Sequence, residues 1–179
     1  MSKITFKNCF PAESATITDF LWSLRDDFRF STRDSVAEIT DLLFEKGGVI
    51  GGYRDDEMVG MFGYFFGEPG RDYANKDTGF VYIAGLAKAV RRAGVFPNAV
   101  RFLAETMAQL GIRELRCHAA ENDAYTNRLY GRLGQPIGTE KNRRGDTCIL
   151  YANNVDTLLA VLGSKKHIRA AVSVTQGGD

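Results

Sequence analysis

The stretch Leu86-Ala-Lys-Ala-Val-Arg-Arg-Ala-Gly-Val-Phe-Pro97 joins an apolar run to an amphipathic segment. The run before it is dense in apolar and aromatic side chains, which indicates a buried strand over residues 79–89. After it, apolar residues recur at helical spacing as far as Leu110, and Gly111 is placed to end a helix. Because proline suits the first helical position, the pattern predicts a helix over residues 97–110.

The turn between this strand and this helix carries Arg91, Arg92 and Gly94. The start of a helix points backbone N–H groups outward, and arginine side chains add charge and forked hydrogen-bond donors. The pattern therefore predicts a phosphate-binding turn. The same residues also allow a purely structural interpretation, in which Gly94 serves the turn and both arginines face water.

A second strand and a second helix follow along the chain. Residues 113–119 alternate as a strand does. Glu121-Asn-Asp123 is typical of a helix start, and Leu129-Tyr-Gly-Arg-Leu-Gly134 is typical of a helix end. The spacing predicts a helix over residues 123–133.

Together these segments resemble the GNAT acyltransferase superfamily, whose members take an acyl group from coenzyme A. The first family motif is V-x-P-x-x-R-x-x-G-x-G/A. Leu86, Arg91 and Gly94 match it, with leucine in place of valine. Lys88 replaces the usual proline, and Phe96 replaces the usual glycine or alanine. A bulky Phe96 either narrows the turn or points away from it, and we expect it to point into the core.

The second family motif is an asparagine followed by a helix that ends in L-Y-x-x-x-G. Asn122, Leu129, Tyr130 and Gly134 match it, whereas the aromatic residue that usually follows the last glycine is missing. The resemblance covers roughly residues 3–152.

The resemblance implies a GNAT-like α/β fold: a mixed, mostly antiparallel sheet with splayed central strands and helices on both faces. In the family, the pantetheine arm of coenzyme A lies between the fourth and fifth strands like an extra strand. We expect a single domain over residues 1–179, with residues 155–179 as a C-terminal extension. The order of elements independently predicts only a mixed α/β sheet with helices on its faces.

The resemblance also implies how individual residues contact acetyl-CoA, the acyl donor. The backbone amide of Leu86 faces the thioester oxygen, and Leu86 and Lys88 contact acyl-pantetheine through their main chains. Asn122 either hydrogen bonds the pantetheine arm, or caps the following helix, or does both. The pyrophosphate is held by the residues of the turn: Arg91, Arg92, Ala93, Gly94, Val95 and Phe96.

Two side chains are candidates for proton transfer. Tyr130 is the candidate general acid, because a phenol (pKa about 10) stays protonated at neutral pH and can donate to a departing thiolate; alternatively it is a core residue with its hydroxyl at the rim. The predicted strand 79–89 contains no glutamate to act as base. His118 has a suitable ordinary pKa, although a lone histidine is more often a bystander. Cys117 has no sequence context that supports a nucleophile.

Composition excludes several other classes of function. The chain has 179 residues and a net charge of +1, so no strong field attracts nucleic acid or an anionic membrane. Its three cysteines are scattered, which indicates neither a metal site nor a disulfide set and favours a reducing, cytoplasmic location. We find no signal peptide and no segment long enough to cross a membrane.

The remaining elements are predicted from periodicity and turn residues. They are a strand at 3–8, a helical stripe from Ile17 to Leu24, a helix with a capping box at Ser31–Asp34 that ends at Gly47-Gly48, a hairpin of 49–53 and 58–66, a mobile loop at 67–77, a hairpin of 136–141 and 146–151, and a helical stripe from Val155 to Leu162. Residues 168–174 add a strand, pair with a second subunit in a homodimer, or pack on their own domain.

The sequence thus predicts an acyl-CoA-dependent N-acetyltransferase that acts on a small-molecule or peptide amine and needs no metal. One alternative is a GNAT-fold protein that binds coenzyme A or regulates without turnover, which the departures at Lys88 and Phe96 and the missing strand glutamate favour. Another is an unrelated α/β domain in which residues 91–97 bind a phosphate ligand.

Overall fold

The computed structural model of the chain describes residues 3–92, 94–163 and 173–174. Eight strands in these ranges form one sheet with the spatial order β6-β7-β5-β4-β3-β2-β1-β8. The strands are β1 Thr5–Asn8, β2 Gly47–Arg54, β3 Glu57–Phe66, β4 Thr78–Leu86, β5 Glu114–Ala120, β6 Gln135–Lys141, β7 Thr147–Asn154 and β8 Ser173–Val174. Only the β4–β5 and β1–β8 pairs among them are parallel.

Six α-helices lie in the described residues: α1 Ser14–Ser23, α2 Arg25–Phe28, α3 Arg33–Lys46, α4 Val95–Gln109, α5 Ala124–Tyr130 and α6 Val155–Gly163. Their amphipathic faces cover both sides of the sheet. One core cluster joins α4 and α6 to one face, and a second joins α1 and α3 to the other. The predicted mixed, mostly antiparallel sheet with helices on both faces is confirmed.

The helix and strand boundaries differ from the predicted ones where local capping decides them. Thr32, and not Ser31, caps α3: its hydroxyl accepts the Ser35 N–H at 3.2 Å. Gly47 and Gly48 do not end that helix in a loop but begin β2 directly. The hairpin turn is formed by Asp55 and Asp56, both with positive φ, as tight hairpins require.

Near the predicted phosphate turn, β4 ends at Leu86 rather than at residue 89. The chain then makes a single 3₁₀ turn, Lys88–Val90, anchored by the fully buried Val90. Helix α4 begins at Val95, so Pro97 is its third residue and not its first. Gly111, with φ of +76°, follows the helix as predicted.

The described part of the C-terminal extension packs on its own chain. Val155, Leu158 and Leu162 of α6 are buried in the core cluster beneath α4. Ser173 and Val174 pair with Thr5 and Phe6 of β1. The rest of the predicted strand at 168–174 lies outside the described residues.

Candidate active site

A bulge in β4 opens the centre of the sheet. Val81 pairs with Tyr64 and Ile83 with Gly63, so Tyr82 is an extra residue without a partner on β3. The pairing of β4 with β5 ends at the same point, with Val81 opposite Cys117. Because a bulge bends its strand and increases the local twist, β4 diverges from β5 beyond it. The splayed strands expected from the sequence are therefore present, and Tyr82 marks where they part.

Peptide groups of β4 face this gap. The Ala87 N–H donates to the carbonyl oxygen of Val59 on β3 at 2.8 Å, so Ala87 and Val59 form a hydrogen-bonded pair. In an antiparallel ladder the residues alternate, which turns the N–H groups of Leu86 and Ala84 away from β3 and toward the gap.

The gap opens into a cleft of about 860 Å³. Its walls are the bulged part of β4, the end of β5, α2 with the residues after it, and the β6–β7 loop. Phe28 and Phe30, whose ring centroids are 5.4 Å apart, line it together with Tyr82. Its charged lining consists of three arginines, which we call the rim arginines, and four carboxylates: Arg29, Arg143, Arg144, Asp27, Glu121, Asp123 and Asp146.

The predicted phosphate turn contains Gly94, which precedes the first residue of α4. Gly94 adopts the left-handed conformation with φ of +65°, and no heavy atom lies within 4 Å of the position that a Cβ would occupy. The first N–H groups of an α-helix have no acceptor within the helix, and Pro97 has no N–H. Gly94, Val95 and Phe96 therefore occupy the positions at which a helix start presents backbone donors. Ala93, also assigned to the pyrophosphate, lies outside the described residues.

The Arg91 side chain is occupied within the protein. Its Nε donates to the Leu86 carbonyl oxygen at 2.9 Å, and its guanidinium forms an ion pair with Asp27 of α2. This contact with Arg91 lowers the pKa of the Asp27 carboxyl below its usual value. Arg91 therefore ties α2 to the turn, while Arg92 and Lys88 remain exposed at the surface. Lys88 lies in the 3₁₀ turn and not on the strand, contrary to the predicted strand boundary.

Phe96 does not point into the turn. Its half-buried ring packs against the core cluster beneath α4. There it lines a small apolar pocket of about 60 Å³, together with Val81 and Tyr130. The expectation that Phe96 faces the core is confirmed.

Tyr130 is the last residue of α5 and lines both the cleft and the apolar pocket. Burial raises the pKa of its hydroxyl, with smaller contributions from Cys117 and Asp123, so the phenol stays protonated at neutral pH. Burial also raises the pKa of the Cys117 thiol to about 12, which leaves it protonated and a weak nucleophile.

Asn122 is exposed and lines the cleft, but it does not cap α5. Asp123 does so: its Oδ1 accepts the Thr126 N–H at 3.0 Å. Sequence reasoning also missed Asn127, whose side chain donates to the Ala120 carbonyl at 2.7 Å and accepts from the Tyr151 hydroxyl at 2.9 Å. This amide joins α5 to β5 and β7, and thereby positions the helix that ends in Tyr130.

His118 lies on β5, one residue past the last pairing with β4, and its side chain lines the cleft. Its Nδ1 is 3.0 Å from Oε1 of Glu140 on β6. The imidazole also stands edge-on to the Phe80 ring, with centroids 5.3 Å apart. Sequence reasoning did not identify Glu140, because nothing local in β6 indicates that this carboxylate meets a residue two strands away.

Arg144 connects the two sides of the cleft mouth. It extends from the β6–β7 loop and donates from Nη1 to the Phe28 carbonyl oxygen at 3.2 Å. The loop itself is shaped by Asn142, whose side-chain oxygen accepts the N–H groups of Arg144 and Asp146. Among the described residues, no three His, Cys, Asp or Glu side chains are grouped to hold a metal ion. No helix in the described ranges combines the length and apolarity that a membrane span requires.

Comparison with known proteins gives a family and a fold. The family model described as acetyltransferase (GNAT) family matches residues 16–135, which is more than half of the chain. No curated protein is a significant match.

The chain matches solved structures of the same fold over nearly the whole length of those structures. A GNAT-family protein from Desulfovibrio desulfuricans has a TM-score of 0.67 at 20% identity, over 85% of this chain and 99% of that chain. An aminoglycoside 6′-N-acetyltransferase complexed with coenzyme A has a TM-score of 0.65 at 15% identity, over 84% and 96%. The ribosomal-protein-S18-alanine N-acetyltransferase from Escherichia coli has a TM-score of 0.62 at 12% identity, over 85% and 94%. At these identities the likeness establishes a shared fold.

Proposed function

The chain belongs to the acetyltransferase (GNAT) family, and on this premise we propose that it transfers the acetyl group of acetyl-CoA to a primary amine by direct attack. The observation that carries the proposal is the splayed gap, with the N–H groups of Leu86 and Ala84 turned into it. An extended acyl-pantetheine arm can use these donors as an added strand would.

The donor site follows the chain from β4 into α4. The arm runs beside Leu86, with the backbone of Lys88 alongside, and leads to the turn at Gly94. There the N–H groups of Gly94, Val95 and Phe96 bind the pyrophosphate, aided by the positive end of the helix dipole. Because Arg91 is paired with Asp27, we assign the side-chain contact to the exposed Arg92, while Arg91 ties α2 to the turn and Ala93 is assigned to the pyrophosphate by the resemblance alone. Asn122, which does not cap α5, is assigned to the pantetheine arm from the turn before that helix.

The chemistry uses two groups at the gap. The Leu86 N–H stabilises the oxyanion that forms when the amine attacks the thioester carbonyl. Tyr130 supplies a hydrogen bond and then a proton to the departing thiolate. Because burial raises the pKa of Tyr130, its proton is retained until negative charge develops on sulfur, which makes the interaction specific to the transition state.

The amine enters through the cleft between α2 and the β6–β7 loop. Its aromatic and charged lining suits an acceptor with both apolar and polar parts. The names of structural neighbours include acceptors as different as an aminoglycoside and a ribosomal-protein alanine, so the shared fold does not identify this acceptor.

The test measures binding and turnover separately. Calorimetry should show that acetyl-CoA binds, and a thiol-release assay should show acetylation of at least one amine from a panel of tyramine, spermidine, kanamycin and a peptide with an N-terminal alanine. Gly134→Ala is unsuitable as an inactive control, because an added Cβ would lie 2.9 Å from the Ala152 carbonyl oxygen; Gly94→Glu serves better. Absence of acetyl-CoA binding would contradict the proposal.

A second function is favoured by one observation. Strand β4, Thr78–Leu86, contains no glutamate that could act as a general base. A protein that binds coenzyme A as a regulator needs the donor site but no turnover. Tight acetyl-CoA binding with no acetylation of any amine in the panel would support this alternative.

A further inference from the structure

We propose that Glu140 positions His118 so that Nε2 of the imidazole is the general base that deprotonates the acceptor amine. The inference rests on the proposed acetyl transfer. It names residues for the deprotonation of the amine, a step for which neither motif of the family resemblance provides a side chain. Its basis is the contact of Glu140 with His118, whose side chain lines the cleft.

The contact determines which imidazole nitrogen carries the proton. An ionised carboxylate can only accept hydrogen bonds, so Nδ1 at 3.0 Å from Glu140 Oε1 must be the donor. In the neutral imidazole the lone pair is then on Nε2, the nitrogen that is not bonded to Glu140. The edge-on Phe80 ring restricts the imidazole further. A base with a defined tautomer and orientation is therefore present beside the gap.

Exposure and neighbouring charge suit this role. The His118 side chain is 22% exposed and Glu140 34% exposed, so water and substrate reach the pair. The Cys148 thiol lies opposite Glu140 on β7. Its pKa is raised mainly by burial and, second, by the Glu140 carboxylate. The cleft also presents Tyr82 of β4, Asp27 of α2, Glu121 and Asp123 after β5, Asp146 before β7 and the rim arginines. Of the charged side chains in the described residues, only Glu140, which lies on β6 behind this lining, is within hydrogen-bond distance of the imidazole.

The proton inventory of the reaction balances with these groups. His118 Nε2 takes one proton from the ammonium, and the freed lone pair attacks the thioester carbonyl carbon while the carbonyl π electrons move to oxygen. When the oxyanion collapses, the C–S bond breaks and its electron pair leaves on sulfur, which takes the Tyr130 proton. The nitrogen of the new amide returns its remaining excess proton to Tyr130, and His118 releases its proton to water. The products are the amide, the coenzyme A thiol and one proton.

The first readout is the tautomer of His118, which needs no acceptor. The chain has two histidines, His118 and His167, so ¹⁵N–¹H spectra of histidine-labelled protein are readily assigned with a His167→Gln variant. We expect the neutral His118 ring to carry its proton on Nδ1 and to lose this preference in Glu140→Leu. A proton on Nε2 in the wild type would overturn the proposal.

The second readout is the rate with the panel amine that the wild type acetylates fastest. His118→Asn keeps a donor toward Glu140 but removes the base, so kcat should fall by about 10²–10⁴-fold. Glu140→Leu should lower kcat by at least about tenfold, and Glu140→Gln, which retains an acceptor, should recover part of the loss. The Kd for acetyl-CoA and the melting temperature should stay unchanged in all three variants. Glu57→Gln, an exposed strand carboxylate outside the cleft, is the matched control.

The outcomes separate the two proposals. Normal acetyl-CoA binding and wild-type kcat in His118→Asn would overturn the role of the base and leave acetyl transfer intact. A wild-type chain that binds no acetyl-CoA, or acetylates no amine in the panel, would remove acetyl transfer and with it the base.

Discussion

The substitution of Gly94 by glutamate tests the donor site most directly. The structure separates its effect on the fold from its effect on binding. No atom lies within 4 Å of an added Cβ, so a side chain meets open space and causes no clash. The backbone has φ of +65° and ψ of +23°, and a non-glycine residue in the left-handed region costs about 1–2 kcal/mol.

The effect on binding is larger. A side chain beyond Cβ occupies the space in front of the N–H groups of Gly94, Val95 and Phe96. A carboxylate at roughly 5 Å from a phosphate charge, with an effective dielectric constant of about 20, adds about 3 kcal/mol of repulsion. We therefore expect Gly94→Glu to weaken acetyl-CoA binding at least about 100-fold, which amounts to loss of measurable binding for a micromolar site.

Gly94→Gln is the matched control, because it has the same size and no charge. Both variants should lose a similar few degrees of melting temperature, since about 1 kcal/mol corresponds to about 2–4 °C in a chain of this size. Calorimetry should show that acetyl-CoA binds more weakly to Gly94→Glu than to Gly94→Gln, and the difference in affinity should shrink as salt is added. Unchanged affinity in Gly94→Glu would refute the assignment of the pyrophosphate to this turn.

Further predictions concern catalysis and stability. Tyr130→Phe should lower kcat by about 10²–10⁴-fold with little change in acetyl-CoA affinity; an unchanged kcat in an assay limited by chemistry would mean that Tyr130 only packs. Phe96→Gly should lower the free energy of unfolding, measured with denaturant, by about 2–3 kcal/mol, which is less than the loss of a fully buried ring would cost. Tighter coenzyme A binding at an unchanged melting temperature would mean that the ring blocks the turn. Glu68→Gln should lower the free energy of unfolding by about 2 kcal/mol, because Glu68 is 6% exposed and bonds Arg116 at 2.6 Å, and the substitution leaves Glu114 as the remaining carboxylate paired with that guanidinium; a change below about 1 kcal/mol would argue against this. Burial raises the pKa of the Cys117 thiol from 9.0 to about 12, so its contribution to the free energy of unfolding is complete below about pH 9 and is lost as the pH rises toward 12. The free energy of unfolding of Cys117→Ala should therefore fall less steeply with pH over that interval. A pH profile identical to that of the wild type would contradict the assignment.

Local sequence patterns determined much of the architecture. Gly94 and Gly111 have the positive φ that their places at the two ends of α4 require, and α5 lies within the predicted segment 123–133, although it ends at Tyr130 and not at residue 133. These features depend on neighbours within a few residues, where helical periodicity and backbone sterics act directly. Boundaries were less accurate, as Thr32 and Asp123 show, because adjacent polar residues compete for the same cap and one residue's geometry decides the outcome.

Only the tertiary structure decided the contents of the cleft. The bulge at Tyr82 depends on the register between β3 and β4, and a register is set by the packing of whole strands. Asp27 meets Arg91 across 64 residues, and His118 meets Glu140 across 22. Neither pair has a periodic signal, because the chain between the partners imposes no distance until the sheet has formed. Local chemistry therefore predicted a turn at Gly94 between strand and helix, whereas the partner of Arg91 and the environment of His118 followed from the fold alone.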